Sequence, residues 1–126
     1  KKIIAQSPQD LQVISACCQG GKIKIEEIKY LPKKKIFLFL IERNAREKEN
    51  PKEKVKSIVK FEYIEKSKSR NIDRTKVDSF VELTAINLFK NNKNYEITLL
   101  FSDNGIITLT AEIIEAVLED QSKIND

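Results

Sequence analysis

The sequence predicts an α+β domain, one bent antiparallel sheet of about six or seven strands with a helix at each end of the chain. Three observations carry that expectation. A capped, amphipathic segment begins at Ser7-Pro8 and stops at Gly20-Gly21. Apolar runs and apolar-polar alternation then recur, separated by short Pro-, Asn- and Lys-rich turns. Finally, Tyr95–Ala111 reads as a hairpin, followed by a segment with apolar residues at Ile113, Ile114, Val117 and Leu118 that fits one helical face.

Ser7 is the expected N-cap, with Pro8 in the first helical position and Asp10 near the positive end of the helix dipole. Leu11, Ile14 and Cys18 form the apolar stripe, flanked by Val13 and Cys17. Lys22–Leu31 reads as a strand whose apolar phase switches at Glu26-Glu27, the mark of a bulge. Ile36–Ile41 is a six-residue apolar run, rich in β formers and short for a helix, so it reads as a strand buried on both faces. Its second face then needs cover from one of the helices or from another subunit.

Glu42–Lys54 is charged, aperiodic and broken by Asn50-Pro51, hence a loop. Val55–Lys66 alternates as a strand, and Lys66–Lys76 reads as a basic loop. Phe80–Lys90 changes phase between Ala85 and Ile86, which again suggests a bulge. In the hairpin, Ile97, Leu99 and Phe101 share a face with Ile107, Leu109 and Ala111 if Phe101 lies opposite Ile107 and Leu99 opposite Leu109. That pairing predicts a three-residue loop, Asp103-Asn104-Gly105, with Gly105 in the left-handed position. Long strands closed by a packing helix are similar in outline to the pleckstrin-homology-like barrel, an analogy of architecture only.

A chain of 126 residues fits a single domain, 1–126, with 40% hydrophobic residues for a core and 33% charged residues for its surface. No apolar run approaches the ~18 residues of a membrane-spanning helix, and Lys1–Ala5 lacks the apolar stretch of a signal peptide. Cys17 and Cys18 are adjacent, a poor geometry for a disulfide or a metal clamp, and read as small helix residues in a reduced, cytoplasmic setting.

Four blocks of the sequence resemble a small alphaproteobacterial family of unknown function. They are Asp10–Ala16 before Gln19, Tyr30-Leu31-Pro32-Lys33 ahead of Phe37, Arg70-Asn71-Ile72-Asp73-Arg74, and Ala111–Ala116 before Leu118 and Asp120. The resemblance implies a bacterial, cytoplasmic, single-domain protein and carries no activity. Tyr30 stands where that family leads us to expect Trp, and Cys17–Gly21 departs from its usual helix end.

The chain has no His, which removes the commonest general base and zinc ligand. Its three glycines build no phosphate loop. Carboxylate pairs such as Glu26-Glu27 and Glu119-Asp120 are only sequence neighbours, and on a strand the first pair would diverge to opposite faces. No catalytic, metal or cofactor site is therefore expected, and an enzyme is left open only through Lys, Arg, Asp or Tyr groups that folding would have to gather. Charge is more informative. Residues 66–76 hold Lys66, Lys68, Arg70, Arg74 and Lys76 against Asp73 alone, whereas residues 95–126 hold seven acids against Lys123. Two readings follow. The first is a small binding or interaction domain with a protein partner or a second copy of itself. The second is an anion-binding module for nucleic acid or phosphorylated lipid, using Lys66, Lys68, Arg70, Arg74 and Lys76. Nucleic acid would further require Lys33–Lys35 and Arg43/Arg46 on the same face, with Tyr30 or Tyr63 available for stacking.

Overall fold

The computed structural model describes residues 1–45 and 53–123. Most of the loop expected over Glu42–Lys54, and the last three residues, lie outside them. The element order is β1 (Lys2–Ala5), α1 (Pro8–Cys18), β2 (Lys22–Lys24), a 3-10 turn (Ile25–Glu27), β3 (Ile28–Leu31), β4 (Ile36–Asn44), β5 (Lys54–Phe61), β6 (Ile64–Arg70), β7 (Phe80–Asn91), β8 (Asn94–Phe101), a second 3-10 turn (Ser102–Asn104), β9 (Ile106–Ala111) and β10 (Ala116–Lys123).

Helix α1 forms as its residues dictate. Ser7 Oγ accepts a hydrogen bond from Asp10 N–H at 3.1 Å, satisfying a donor at the helix start. Leu11, Ile14 and Cys18 are buried, while Val13 stays half exposed. The ten strands make one antiparallel sheet in the order β1-β10-β5-β4-β2-β7-β8-β9-β6, with β3 pairing β4 off that path. Every strand, together with α1, contributes to a single buried cluster. The sheet therefore curves so that one face encloses the core and the other faces solvent.

Four expectations are corrected. The sheet is open, ending at β1 and β6, rather than a closed barrel, and it holds more strands than six or seven. The expected C-terminal helix is β10, which slots between β1 and β5 with Leu118 opposite Val59 and Ile3. A ladder on both sides outweighs the helical propensity of its Ala, Glu and Leu residues. Half of the expected basic loop is strand β6: β5 bends at Glu62-Tyr63, where Tyr63 takes φ 59°, and continues as β6 along β9.

The hairpin register is the fourth. Leu99 lies opposite Ile107 and Ile97 opposite Leu109, two residues from the expected pairing. A shift of two preserves the side of every side chain, so both apolar sets still face the core. The loop is consequently longer, and Asp103 and Asn104 take the left-handed conformations at φ 59° and 64°. Gly105 sits at φ −70° and serves packing instead. A Cβ there would lie 3.2 Å from both Ile72 Cγ1 and Phe101 Cβ.

Both expected breaks in phase exist, in altered form. The bulge in β7 falls between Leu83 and Ala85, ahead of the expected Ala85–Ile86 step, and Lys22–Leu31 is not one bulged strand but two, β2 and β3, parted by the 3-10 turn at Ile25–Glu27. On β4, Phe37, Phe39, Ile41 and Arg43 point inward. Ile36, Leu38 and Leu40 are half-buried on the outer face, with no helix of the described residues over them.

Candidate binding surfaces on the outer face of the sheet

Strand pairing divides the outer face into two chemistries. On β7–β8–β9–β6, Thr110 pairs with Lys66, Thr108 with Lys68 and Ile106 with Arg70. Two strands further on, Glu96 lies opposite Thr110 and Thr98 opposite Thr108. Lys66, Lys68 and Arg70 thus project from one side of an edge strand at alternate positions, and all three are exposed. Lys68, Ser69, Arg70, Ile106 and Thr108 line a shallow groove of about 320 Å³. None of the three cations is ion-paired with a carboxylate of the described residues.

The other two predicted site residues are not part of this row. Arg74 donates to the Ile28 carbonyl at 2.7 Å, pinning the 71–79 segment against β3. Lys76 lies in the same segment, in the turn where its N–H reaches the Asp73 carbonyl. Asp73 shapes that turn by accepting from the Thr75 hydroxyl and N–H, and those hydrogen bonds hold its carboxyl below the usual range. A broader basic face does not assemble. Arg43 is buried, Arg46 lies outside the described residues, and Lys35 is engaged by Glu65 at 3.0 Å and Glu112 at 3.8 Å. Tyr30 donates its hydroxyl to the Ile64 carbonyl at 3.0 Å, so of the two expected rings Tyr63 alone stays open, while Phe80 and Phe89 are exposed as well, Phe89 three strands from β6.

On β3–β4–β5–β10–β1 the outer face mixes aliphatic side chains with charges of both signs. One cross-strand row reads Lys29, Leu38, Lys60, Val117, Ile4, and the next reads Leu40, Ile58, Glu119, Lys2. Leu31 pairs with Ile36 beside them. Ile4 is 55% exposed and Leu31 38%, and the central side chains are half-buried only by their neighbours. Sequence reasoning found the second apolar face of β4 and expected a helix or another subunit over it; it missed that β10 and β1 extend this face, because residues 113–118 were read as a helix.

Two charged clusters hold acid-base groups close together. Arg43, Ser57 and Asp120 are joined by hydrogen bonds, but Ser57 is fully buried and beyond the reach of a substrate. Glu65 and Glu112 share a hydrogen bond beside Lys35, which pushes the Glu112 carboxyl up and, with Lys35, holds Glu65 down. All three side chains are about a third or more exposed to bulk water, so no dry site surrounds them. Among the described residues no three His, Cys, Asp or Glu side chains gather as a metal site, and no helix is long and apolar enough to cross a membrane.

No curated protein and no solved structure matches the chain. A family model does, over residues 1–125. The chain belongs to the family described as protein of unknown function (DUF2948).

Proposed function

We propose that this domain acts by binding rather than catalysis, and that it self-associates through the outer face of β3–β4–β5–β10–β1. The observation that carries the reading is the group of aliphatic side chains Ile4, Leu38, Leu40, Ile58 and Val117 in adjoining cross-strand rows, over which no helix of the described residues lies. Aliphatic side chains clustered on the outer face of a sheet, even with charges between them, support an interaction surface. Two sheets stack face to face about 10 Å apart, and a two-fold axis makes one such surface its own complement. Charges of both signs, Lys29, Lys60 and Lys2 against Glu119, lie within the same rows and suit a second copy better than a partner of one sign.

The test is sedimentation velocity of the full chain over a hundred-fold concentration range, beside the variant Leu38→Glu. Lys29 and Lys60 flank Leu38 in register, so a glutamate there finds cross-strand partners within one copy and spares the fold. The wild type is expected to shift from monomer to dimer with concentration, and the variant to remain monomeric with an unchanged melting temperature. A wild type that is monomeric throughout overturns self-association.

A further inference from the structure

The β6 edge supports an inference that goes beyond self-association. We infer that the outer face of β6 and β9 holds a single-stranded nucleic acid backbone, with Lys66, Lys68 and Arg70 as a linear row of phosphate contacts and Thr108 and Thr110 as neighbouring hydroxyl donors. The geometry begins with strand physics. Alternate residues on a strand point the same way and lie about 6.6 Å apart, a spacing comparable to that of successive phosphates on an extended strand. Register then places Thr110 beside Lys66 and Thr108 beside Lys68. The three cations are exposed, no carboxylate of the described residues pairs with them, and the Lys68–Arg70 end opens onto the groove.

The ligand class follows from the shape of the charge. A bilayer is a plane, and pressed against this face it would meet Glu96, on the Lys66 row two strands in. A linear polymer laid along β6 avoids that carboxylate. Duplex DNA would present its charge over a wider convex surface than one row can follow. With no ring beside the row, binding is to the backbone and independent of base identity. Charges on an edge strand also discourage edge-to-edge pairing of sheets, a role that predicts no nucleic acid affinity.

Fluorescence anisotropy of labelled oligo-dT, twelve nucleotides long, with the full-length chain separates these cases. Three phosphate contacts to a single strand give a log-log salt slope of about −2, so affinity should fall about 20-fold between 50 and 200 mM salt. The triple variant Lys66→Gln/Lys68→Gln/Arg70→Gln should abolish most binding and keep its circular dichroism spectrum and melting temperature, because these side chains are exposed. Lys33→Gln/Lys34→Gln, at the β3–β4 turn, should bind like the wild type. No binding at 50 mM salt overturns the inference. So does equal loss in both variants, or binding to phosphatidylserine vesicles without binding to the oligonucleotide. Leu38→Glu, which disrupts the proposed dimer face, should retain the strand-binding row, so the two proposals fail separately.

Discussion

Arg43 Nη2 lies 2.9 Å from Asp120 Oδ1, an ion pair carried inward by a β-sheet in which Arg43 is only 1% exposed. Ser57 sits between them, accepting from Arg43 Nε at 3.0 Å and donating to Asp120 Oδ1 at 2.7 Å. The strands explain the meeting. Ile41, Ser57 and Asp120 form one cross-strand row over β4, β5 and β10, and Arg43 is the next inward residue on β4. The apolar rows of the core thus end in a polar row that ties three strands together.

Removing one partner should cost far more than replacing all three. Asp120→Ala takes a carboxylate from a buried guanidinium and is expected to lower stability by about 3–5 kcal/mol in urea unfolding. Arg43→Met/Ser57→Ala/Asp120→Leu, which replaces all three hydrogen-bonded side chains with apolar ones and leaves no orphaned hydroxyl, should recover most of that loss. Additive losses in the triple variant would show that the three are not coupled.

Acid should act through the same carboxylate. Burial pushes the Asp120 carboxyl up, but the hydrogen bonds from Ser57 and Arg43 and the Arg43 charge outweigh it, so the group sits below its ordinary value of 3.8. A depressed folded pKa means the unfolded chain takes up the proton first. The contribution is therefore complete above the ordinary value and is lost as pH falls through the lowered one. Stability measured from pH 6 to pH 2.5 should decline more steeply in wild type than in Asp120→Asn, with the extra decline confined to the acid side of pH 4. Parallel curves would assign acid unfolding to other carboxylates.

Gly21 marks where α1 must clear the sheet. A Cβ at this position would lie 2.4 Å from Ile41 Cδ1, 2.7 Å from Ile41 Cγ1 and 3.0 Å from the Cys18 carbonyl oxygen. Ile41 is fully buried and has little room to yield. Gly21→Ala should therefore cost about 1–3 kcal/mol, and Ile41→Val, by removing the nearest methyl, should reduce that penalty. Equal penalties with Ile41 and with Val at 41 would place the cost in the backbone instead.

How legible the fold was depended on the neighbours each segment has. Elements specified by their own residues read correctly from sequence: the Ser7 cap, the β4 run as a strand, the existence of a bulge in β7 (expected between Ala85 and Ile86, found between Leu83 and Ala85), and the face shared by Ile97, Leu99, Ile107 and Leu109. Segments whose conformation is set by distant partners did not. Lys66–Arg70 has no apolar alternation and is a strand because β9 lies beside it. Lys2–Ala5 is too short to signal itself and exists as a strand because of β10. The candidate cation row was half visible: the five basic residues are plain in the sequence, but only pairing with β9 distinguishes Lys66, Lys68 and Arg70 from Arg74, whose guanidinium is spent on Ile28.

The 113–118 stretch offers the sharpest test, because helix and strand predict opposite patterns from the same residues. On a helix, Ile113 and Val117 share a face with Ile114 and Leu118, so a lysine at any of the four should destabilise to a similar degree. In the sheet, alternation decides instead. Leu118 is fully buried opposite Val59, Val117 lies half-buried on the outer face, and Ile113, ahead of the strand, is 47% exposed. Ile113→Lys should then change stability by no more than about 0.5 kcal/mol, the usual range for a surface substitution. Val117→Lys sets a like charge directly opposite Lys60 on a half-exposed face, so it should cost roughly 0.2–1 kcal/mol in the monomer, and it should weaken self-association. Leu118→Lys places a charge among Phe39, Val59 and Ile3 with no partner, and is expected to abolish folding. Urea midpoints of the three variants decide the matter, and equal losses at 113, 117 and 118 would return the segment to a helix.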